Sequence, residues 1–352
     1  MGAFFSSAQF LAVLHISVEM VLAFNILSIS GGGFRGLYSA AVLAELEESS
    51  GIPLRQRFDL IAGTSIGGIL ALGLAAGKPA AAMVDSFKKN GHLIFSASQP
   101  PKSGLGKTWA MRKNALKAKY KAENLRKVVA DLVGEETLIA DLKQRVVVPA
   151  VNLSKGSPQV FKTAHHETFV RDFKLRVVDV AMATSAAPTY FPIHKIGSEM
   201  FADGGMYANS PDEIALHEAQ HFLGQRTEEI SMLSIGTTTS KFSFSGAVDA
   251  NLGWLSWMGS QELPGIMIGA QQMNADYVLR HKLSDRYLRI DEDQSAEQAK
   301  QLALDLASPS AIQTLLGFAE ASVRRYEPSE AWKAFMLHEA PEQDFLGKGG
   351  VS

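Results

Sequence analysis

The sequence predicts an α/β protein whose central sheet is largely parallel. An apolar run, a glycine turn and a helix-forming segment follow one another twice between residues 26 and 77, which is typical of parallel strands joined by helices. Later apolar runs again alternate with helical pieces. With 352 residues, the chain is long enough to bury a full core around such a sheet.

The first unit begins with ILSIS (Ile26–Ser30), which we predict as a buried strand, and passes through GGGFRG into a helix over Leu37–Ser49. The second unit begins with FDLIA (Phe58–Ala62). It continues through GTSIGG into a helix of small residues that ends at Gly77.

Aliphatic and β-branched runs predict three further strands, at Arg145–Leu153, Val160–Thr163 and Ile230–Ile235. Helical spacing predicts helices near Val177–Ala187 and Pro211–Leu223. We expect three regions: an apolar N-terminal segment (1–23), a main domain (24–240) and a mostly helical C-terminal extension packed on it (241–352).

The apolar N-terminal segment lacks the basic start and the cleavage site of a signal peptide. His15 and Glu19 interrupt it, which disfavours a membrane-spanning helix. We expect either a helix packed on the body of the protein or an over-extended start, with Met20 as the true first residue.

Composition narrows the class of protein. The formal net charge of −2 gives no global attraction to DNA or RNA, and we expect neither as a partner. Without cysteine there is no disulfide, no thiol nucleophile and no thiolate metal site, which fits the reducing cytoplasm.

Gly31, Gly33 and Gly36 match the G-x-G-x-x-G pattern of dinucleotide-binding folds. Those folds also need an acid at the end of the next strand, to bind the ribose. Here FDLIA ends in Gly63-Thr64-Ser65-Ile66-Gly67, and Asp59 lies near the start of that run. A dinucleotide cofactor is therefore disfavoured.

The loop after the second strand fits G-x-S-x-G, a sharp strand-to-helix turn that exposes a nucleophilic serine, here Ser65. If the two strands are neighbours, the loop Gly31–Arg35 lies beside Ser65. Its backbone N–H groups could then stabilise an oxyanion, as acyl transfer requires. The alternative is a tight turn around a buried serine.

A serine nucleophile needs a base. His281 and His338 are the late candidates for a triad, but charged helical surroundings predict that both are surface residues. Asp203, followed by Gly204 and Gly205, is better placed to present a carboxylate to Ser65. Because Asp-Gly is also a common turn pair, an ordinary turn aspartate is the alternative.

Four segments in this order, SGGGFRG, GTSIGG, MATSAAPTYFP and ADGGMYANSP, resemble the patatin-like phospholipase family over about residues 24–240. The resemblance implies a three-layer α/β/α fold. It also implies a Ser–Asp dyad, without histidine, metal or cofactor, that cleaves acyl esters of membrane glycerophospholipids.

Carried over by position, Ser65 is the nucleophile and Asp203 the base. The resemblance assigns the oxyanion hole to Gly31, Gly32 and Gly33, with Arg35 supporting that loop, and gives a structural role in the motifs to Gly36, Gly63, Gly67, Gly204 and Gly205. One departure is Ser30, where many members of the family have aspartate.

The segments FRGLYSAAVLAELEE and FDLIAGTSIGGILALGLAAG are similar to a bacterial branch of the family. That branch includes phospholipases activated by cyclic dinucleotides in anti-phage (CBASS) signalling. The likeness implies an antiviral effector of the cytoplasm that acts at the inner face of the membrane, with a homo-oligomer as one assembly to consider. The alternatives are an unregulated lipase and a nucleotide sensor whose hydrolase site is vestigial.

Two other patterns suggest different functions. His217-Glu218-Ala219-Gln220-His221 fits the zinc-protease motif H-E-x-x-H on a predicted helix, but no third ligand is evident, so we disfavour it. His165 and His166 are predicted to lie on an exposed loop.

A basic segment, residues 102–127, carries nine Lys or Arg and one acid. It is either a solvated face or a binding site for the phosphates of lipids or of a nucleotide. The apolar stretch over 254–267, with two tryptophans, is either core or a lining that meets acyl chains or the bilayer.

Overall fold

The computed structural model describes residues 24–95, 118–239 and 262–345 and contains one eight-stranded sheet. Its strand order is β5-β6-β3-β2-β1-β7-β8, and β4 pairs with β3. The strands are β1 (Phe24–Ile29), β2 (Leu60–Gly63), β3 (Arg145–Asn152), β4 (Ser157–Lys162), β5 (His194–Ile196), β6 (Glu199–Asp203), β7 (Ile230–Ile235) and β8 (Tyr287–Ile290).

The central five strands, β3, β2, β1, β7 and β8, are parallel, whereas β4, β5 and β6 join antiparallel. Ten α-helices lie in the described ranges: α1 (Gly36–Ser50), α2 (Ile66–Ala75), α3 (Ala80–Ile94), α4 (Ala122–Val133), α5 (Val177–Thr184), α6 (Asp212–His217), α7 (Glu262–Leu283), α8 (Ala296–Gln301), α9 (Pro309–Tyr326) and α10 (Glu330–Leu337).

Alternate side chains of β1 enter two separate cores, as expected for a sheet covered on both faces. Leu27 and Ile29 pack in the larger core with α1, α2 and α9. Ile26 packs in the smaller core with α6 and α7. The predicted three-layer α/β/α architecture is therefore confirmed.

Local sequence signals explain where several helices begin and end. Gly51 ends α1 in the left-handed conformation, with φ of 67°. Ser308 accepts a hydrogen bond from the N–H of Ala311 at the start of α9, and Pro309 takes the first helical position.

The described part of the C-terminal extension, residues 262–345, is mostly helical, as predicted, but it also contributes one strand. β8 pairs in parallel with β7, so that residues beyond 241 complete the sheet. The predicted boundary at 240/241 lies outside the described residues and stays a prediction. The N-terminal segment, most of the basic segment and residues 254–261 also lie outside them.

Within residues 24–95, 118–239 and 262–345, no helix combines the length and the apolar character that crossing a bilayer requires.

Candidate active site

Ser65 lies at a strained turn between β2 and α2. Its backbone has φ of 56° and ψ of −123°, a region that residues with a side chain rarely adopt. A Cβ on Gly67 would overlap the carbonyl oxygen of Ile29, and one on Gly63 would overlap that of Gly67. The turn therefore needs both glycines, and it lifts the hydroxyl of Ser65 away from the backbone.

The hydroxyl of Ser65 donates a hydrogen bond of 2.6 Å to Oδ2 of Asp203. Asp203 is the last residue of β6 and lies opposite Ala150 of β3. Because β3 also pairs with β2, the ends of these strands bring the acid to the serine. The structure thus joins the two residues that the sequence singled out, 138 positions apart.

The Asp203 carboxylate is buried, with 5 % of the residue exposed. Burial raises its pKa to about 6, although hydrogen bonds from the Ser65 hydroxyl and from the N–H of Gly205 favour the ionised form. The bond from Gly205 to Oδ1 measures 2.7 Å. A carboxylate with such a pKa is mostly ionised at neutral pH and accepts a proton more readily than an exposed one.

The backbone of the serine turn is fixed by the segment MATSAAP. The N–H of Ser65 donates to Oγ1 of Thr184 at 3.0 Å, and that hydroxyl donates to the carbonyl of Pro149 at 2.6 Å. Thr64 donates its hydroxyl to the carbonyl of Ala208. Thr184 was not among the predicted site residues, although it lies inside a motif that carried the family resemblance.

The glycine loop packs directly against Ser65, since a Cβ on Gly31 would lie 3.2 Å from the Ser65 Cβ. The N–H of Gly31 donates to the carbonyl of Asn209 at 2.9 Å, and Nδ2 of Asn209 donates back to the carbonyl of Gly31 at 3.1 Å. Among the described residues, the N–H groups of Gly32 and Gly33 have no hydrogen-bond partner. These two groups are therefore the loop's available donors.

Two further features of the loop depend on its sequence. Gly33 has φ of 57°, and a Cβ there would overlap the carbonyl of Leu304. Arg35 donates from Nη1 to the carbonyl of Thr238 at 3.0 Å. Burial lowers the pKa of Arg35 to about 10, so the guanidinium stays charged at neutral pH. Its contact ties the end of the loop to the segment after β7.

The H-E-x-x-H residues divide between surface and core. His217 and His221 are exposed, with rings stacked at 5.1 Å. Glu218, by contrast, is buried and accepts a hydrogen bond of 2.6 Å from Nζ of Lys162. In the part of the chain that the structure describes, no three acidic or histidine side chains are grouped to hold a metal ion.

Two expectations about histidines are wrong. His165 is buried: its Nε2 lies 2.9 Å from Oε1 of Glu218, and its Nδ1 lies 2.8 Å from Oγ1 of Thr163. Nε2 of His338 lies 2.6 Å from Oδ2 of Asp59, with 14 % of the His338 side chain exposed. In both cases a partner distant in sequence takes the side chain out of water. His281 is exposed, as predicted.

A serine turn after a strand of an α/β sheet, with a carboxylate on the hydroxyl, is typical of serine hydrolases. A model of the patatin-like phospholipase family matches residues 27–216. The chain therefore belongs to the patatin-like phospholipase family, as its motifs predict, and the predictions of a hydrolase and of its fold are confirmed.

Three bacterial relatives, each named cGAMP-activated phospholipase, are similar over most of their length. That of Pseudomonas aeruginosa is 40% identical over 319 residues, which cover 90% of this chain and 93% of the relative. That of Vibrio cholerae is 38% identical, covering 83% and 88%. That of Escherichia coli is 37% identical, covering 83% and 86%.

Proposed function

We propose that this protein is an A-type phospholipase that cleaves acyl esters of membrane glycerophospholipids with Ser65 as nucleophile and Asp203 as base, and that a cyclic dinucleotide activates it. The observation that carries the proposal is the 2.6 Å hydrogen bond from Ser65 to a buried carboxylate of raised pKa.

The first half of the reaction acylates Ser65. Asp203 accepts the hydroxyl proton while Oγ attacks the ester carbonyl carbon, forming a tetrahedral intermediate. The intermediate collapses with cleavage of the bond to the glycerol oxygen. That oxygen takes the proton from Asp203 and leaves as the hydroxyl of a lysophospholipid.

The second half releases the fatty acid. Asp203 accepts a proton from a water molecule, whose oxygen attacks the acyl-enzyme carbonyl. When this second intermediate collapses, the Ser65 oxygen takes the proton back. The same carboxylate serves both halves, and burial suits Asp203 to this exchange because it raises the pKa of the carboxyl to about 6.

The negative charge of both intermediates needs donors beside Ser65. Gly32 and Gly33 supply them, because their N–H groups have no protein partner among the described residues. The N–H of Gly31 instead holds the loop through Asn209. Within the predicted oxyanion hole, we therefore assign hydrogen bonding to Gly32 and Gly33 and positioning to Gly31.

Activation by a cyclic dinucleotide is supported by the three relatives, all named for activation by cGAMP and similar to this chain over at least 83% of its length. The proposed biological role is to degrade phospholipids at the inner face of the membrane during anti-phage defence. A homo-oligomer stays a prediction.

The test is release of fatty acid from vesicles of phosphatidylethanolamine and phosphatidylglycerol, with and without cGAMP and with and without a chelator. We expect release by the wild type with cGAMP and none by Ser65→Ala. Ser322→Ala is the control, because Ser322 is a buried serine that contacts Tyr38 and Glu292 and not the dyad.

The alternatives give other results. Release that ignores cGAMP would keep the lipase and remove the nucleotide from the proposal. Binding of cGAMP without release by any variant would indicate a sensor with a vestigial site. Loss of release on chelation would contradict a dyad that works without metal.

A further inference from the structure

A buried arginine lies beside the glycine loop and has no role in the steps above. Arg289 of β8 has 8 % of its side chain exposed. Its Nη1 is within hydrogen-bond distance of three hydroxyls, those of Ser30 (3.1 Å), Ser210 (3.2 Å) and Ser234 (2.8 Å). Its Nη2 donates to Oδ2 of Asp291 at 2.8 Å.

The Nη1 side holds the start of the glycine loop. Ser30 immediately precedes Gly31, Ser210 immediately follows Asn209, and the two serine hydroxyls share a hydrogen bond of 2.8 Å. Gly31 and Asn209 exchange the two hydrogen bonds described above. The guanidinium therefore fixes the point where the glycine loop meets the loop that follows Asp203.

The Nη2 side holds the end of the same loop. Oδ1 of Asp291 accepts a hydrogen bond of 2.9 Å from the N–H of Thr238, and the carbonyl of Thr238 accepts the bond from Arg35. The guanidinium of Arg289 thus contacts Ser30, just before the glycines, directly. Through Asp291 and Thr238 it is also connected to Arg35, just after them.

The charge of Arg289 is well compensated. Burial disfavours it, but Asp291 and Asp212 outweigh that effect and raise the pKa of the guanidinium. Asp212 lies 4.0 Å from Nη1 and also accepts the hydroxyls of Ser28 and Tyr287. Lysine would keep the charge, but a single ammonium group cannot reproduce a rigid fork that reaches in two directions.

We propose that Arg289 is a positioning residue of the reaction: it holds both ends of the glycine loop so that the N–H groups of Gly32 and Gly33 stay aimed at the oxyanion. This inference rests on the proposed function, which gives the loop its role. Arg289 itself contacts neither Ser65 nor Asp203 by any hydrogen bond among the described residues.

The test compares Arg289→Lys and Ser30→Ala with the wild type, by fatty-acid release from the same vesicles with cGAMP. If the N–H groups of the glycine loop are no longer directed at the oxyanion, kcat should fall. We expect a decrease of roughly 10- to 100-fold for Arg289→Lys and about 3- to 10-fold for Ser30→Ala. KM should stay within about twofold, because substrate binding is not the interaction removed. The pH below which kcat/KM falls should not change, because neither substitution alters Asp203.

The two changes should also be coupled, so that Ser30→Ala costs less in the Arg289→Lys background than in the wild type. Ser322→Ala should keep the wild-type kcat. If Arg289→Lys does not fold, Ser30→Ala decides the question, since it removes one hydroxyl and no charge.

A lowered denaturation midpoint with wild-type kcat would overturn the inference, because Arg289 would then be purely structural. A change in the pH below which kcat/KM falls would also overturn it. Retained release by Ser65→Ala would instead remove the proposed function itself, so the two failures are distinguishable.

Discussion

Asp203 and Glu218 are both buried acids that hydrogen-bond a neighbouring side chain, yet only one is suited to be a base. Asp203 faces the hydroxyl of Ser65. Glu218 faces His165, whose other ring nitrogen meets the hydroxyl of Thr163. The second set has the acid–imidazole–hydroxyl order of a hydrolytic triad, whereas the first lacks the imidazole.

The environments of the two acids have opposite effects on their pKa values. Burial raises the pKa of Asp203 to about 6, and no lysine, arginine or histidine among the described residues forms an ion pair with it. Burial also opposes ionisation of Glu218, but hydrogen bonds from His165 and Lys162 outweigh it and lower its pKa. The raised pKa suits Asp203 to the proposed role of base, whereas the lowered pKa of Glu218 fits an acid held in ion pairs.

The largest effect that separates the two sites is on turnover. Asp203→Asn and Ser65→Ala should each lower kcat/KM by at least about a thousandfold, because proton transfer and acyl transfer both fail. Glu218→Gln should stay within about twofold of the wild type once it is folded. Vesicle hydrolysis with cGAMP measures all three, and equal losses in Glu218→Gln and Asp203→Asn would abolish the distinction.

Glu218→Gln, which should hardly affect activity, is expected to lower the stability of the protein. Glu218→Gln leaves the mostly buried ammonium of Lys162 without its counter-charge and should lower the free energy of unfolding by about 2 to 4 kcal/mol. Glu213→Gln, an exposed acid of α6, is the matched control and should change it by less than about 0.5 kcal/mol. Urea titrations followed by circular dichroism give both values. An unchanged free energy of unfolding in Glu218→Gln would mean that the ion pair between Lys162 and Glu218 does not stabilise the fold.

Asp203→Asn should make the protein more stable at alkaline pH. A carboxyl whose folded pKa is raised from 3.8 to about 6 contributes stability below its unfolded pKa and loses it as pH rises through its folded pKa. Above that window, the buried charge costs about 2 to 3 kcal/mol, which asparagine avoids while still accepting the Gly205 N–H.

Denaturation midpoints of the wild type and Asp203→Asn at about pH 8 and about pH 5 measure this difference, which should shrink at the lower pH. Glu218 has the opposite sign: its lowered pKa gives stability that is lost only as pH falls through the folded pKa. A wild type that is more stable than Asp203→Asn at pH 8 would contradict the raised pKa.

The pH dependence of turnover follows from the same carboxylate. Because only ionised Asp203 accepts a proton, kcat/KM should rise about tenfold per pH unit below about pH 6 and level off above it. Initial rates on vesicles of fixed composition test this. If kcat/KM instead levelled off near the ordinary pKa of aspartate, the carboxylate would be solvated in the working enzyme.

The smallest expected effect concerns the surface histidines. His217→Ala and His221→Ala should each change kcat/KM by less than about twofold, with or without a chelator, because both side chains are exposed. Loss of activity in either variant, restored by added zinc, would indicate a zinc site at these histidines.

The sequence was most informative where chemistry depends on a few consecutive residues. The glycines around Ser65 are needed by a turn of four or five residues, so the motif predicts the nucleophile without knowledge of the fold. Parallel pairing of β1 and β2, with Ile29 opposite Gly63, then places the glycine loop beside Ser65. This neighbour relation could be expected from the order of the strands.

Apart from Ser65 and Asp203, whose pairing the family resemblance implied, contacts across long sequence separations were not predictable in this way. His165 meets Glu218, 53 positions away, and His338 meets Asp59, 279 positions away, so their local surroundings predicted exposure. Asn209 and Arg289 act on the glycine loop from separate elements, and β8 is too short to be distinguished from the helices around it. Polar side chains acquire these partners only when the sheet assembles.

The most direct test of the carboxylate base is the rate at which a fluorophosphonate labels Ser65, mapped by peptide mass spectrometry in the presence of cGAMP. The wild type and Glu218→Gln should label equally fast, with a rate that rises through about pH 6. Asp203→Asn should label at least about a hundredfold more slowly, without that rise. Wild-type labelling of Ser65 in Asp203→Asn would contradict the assignment of Asp203 as the base.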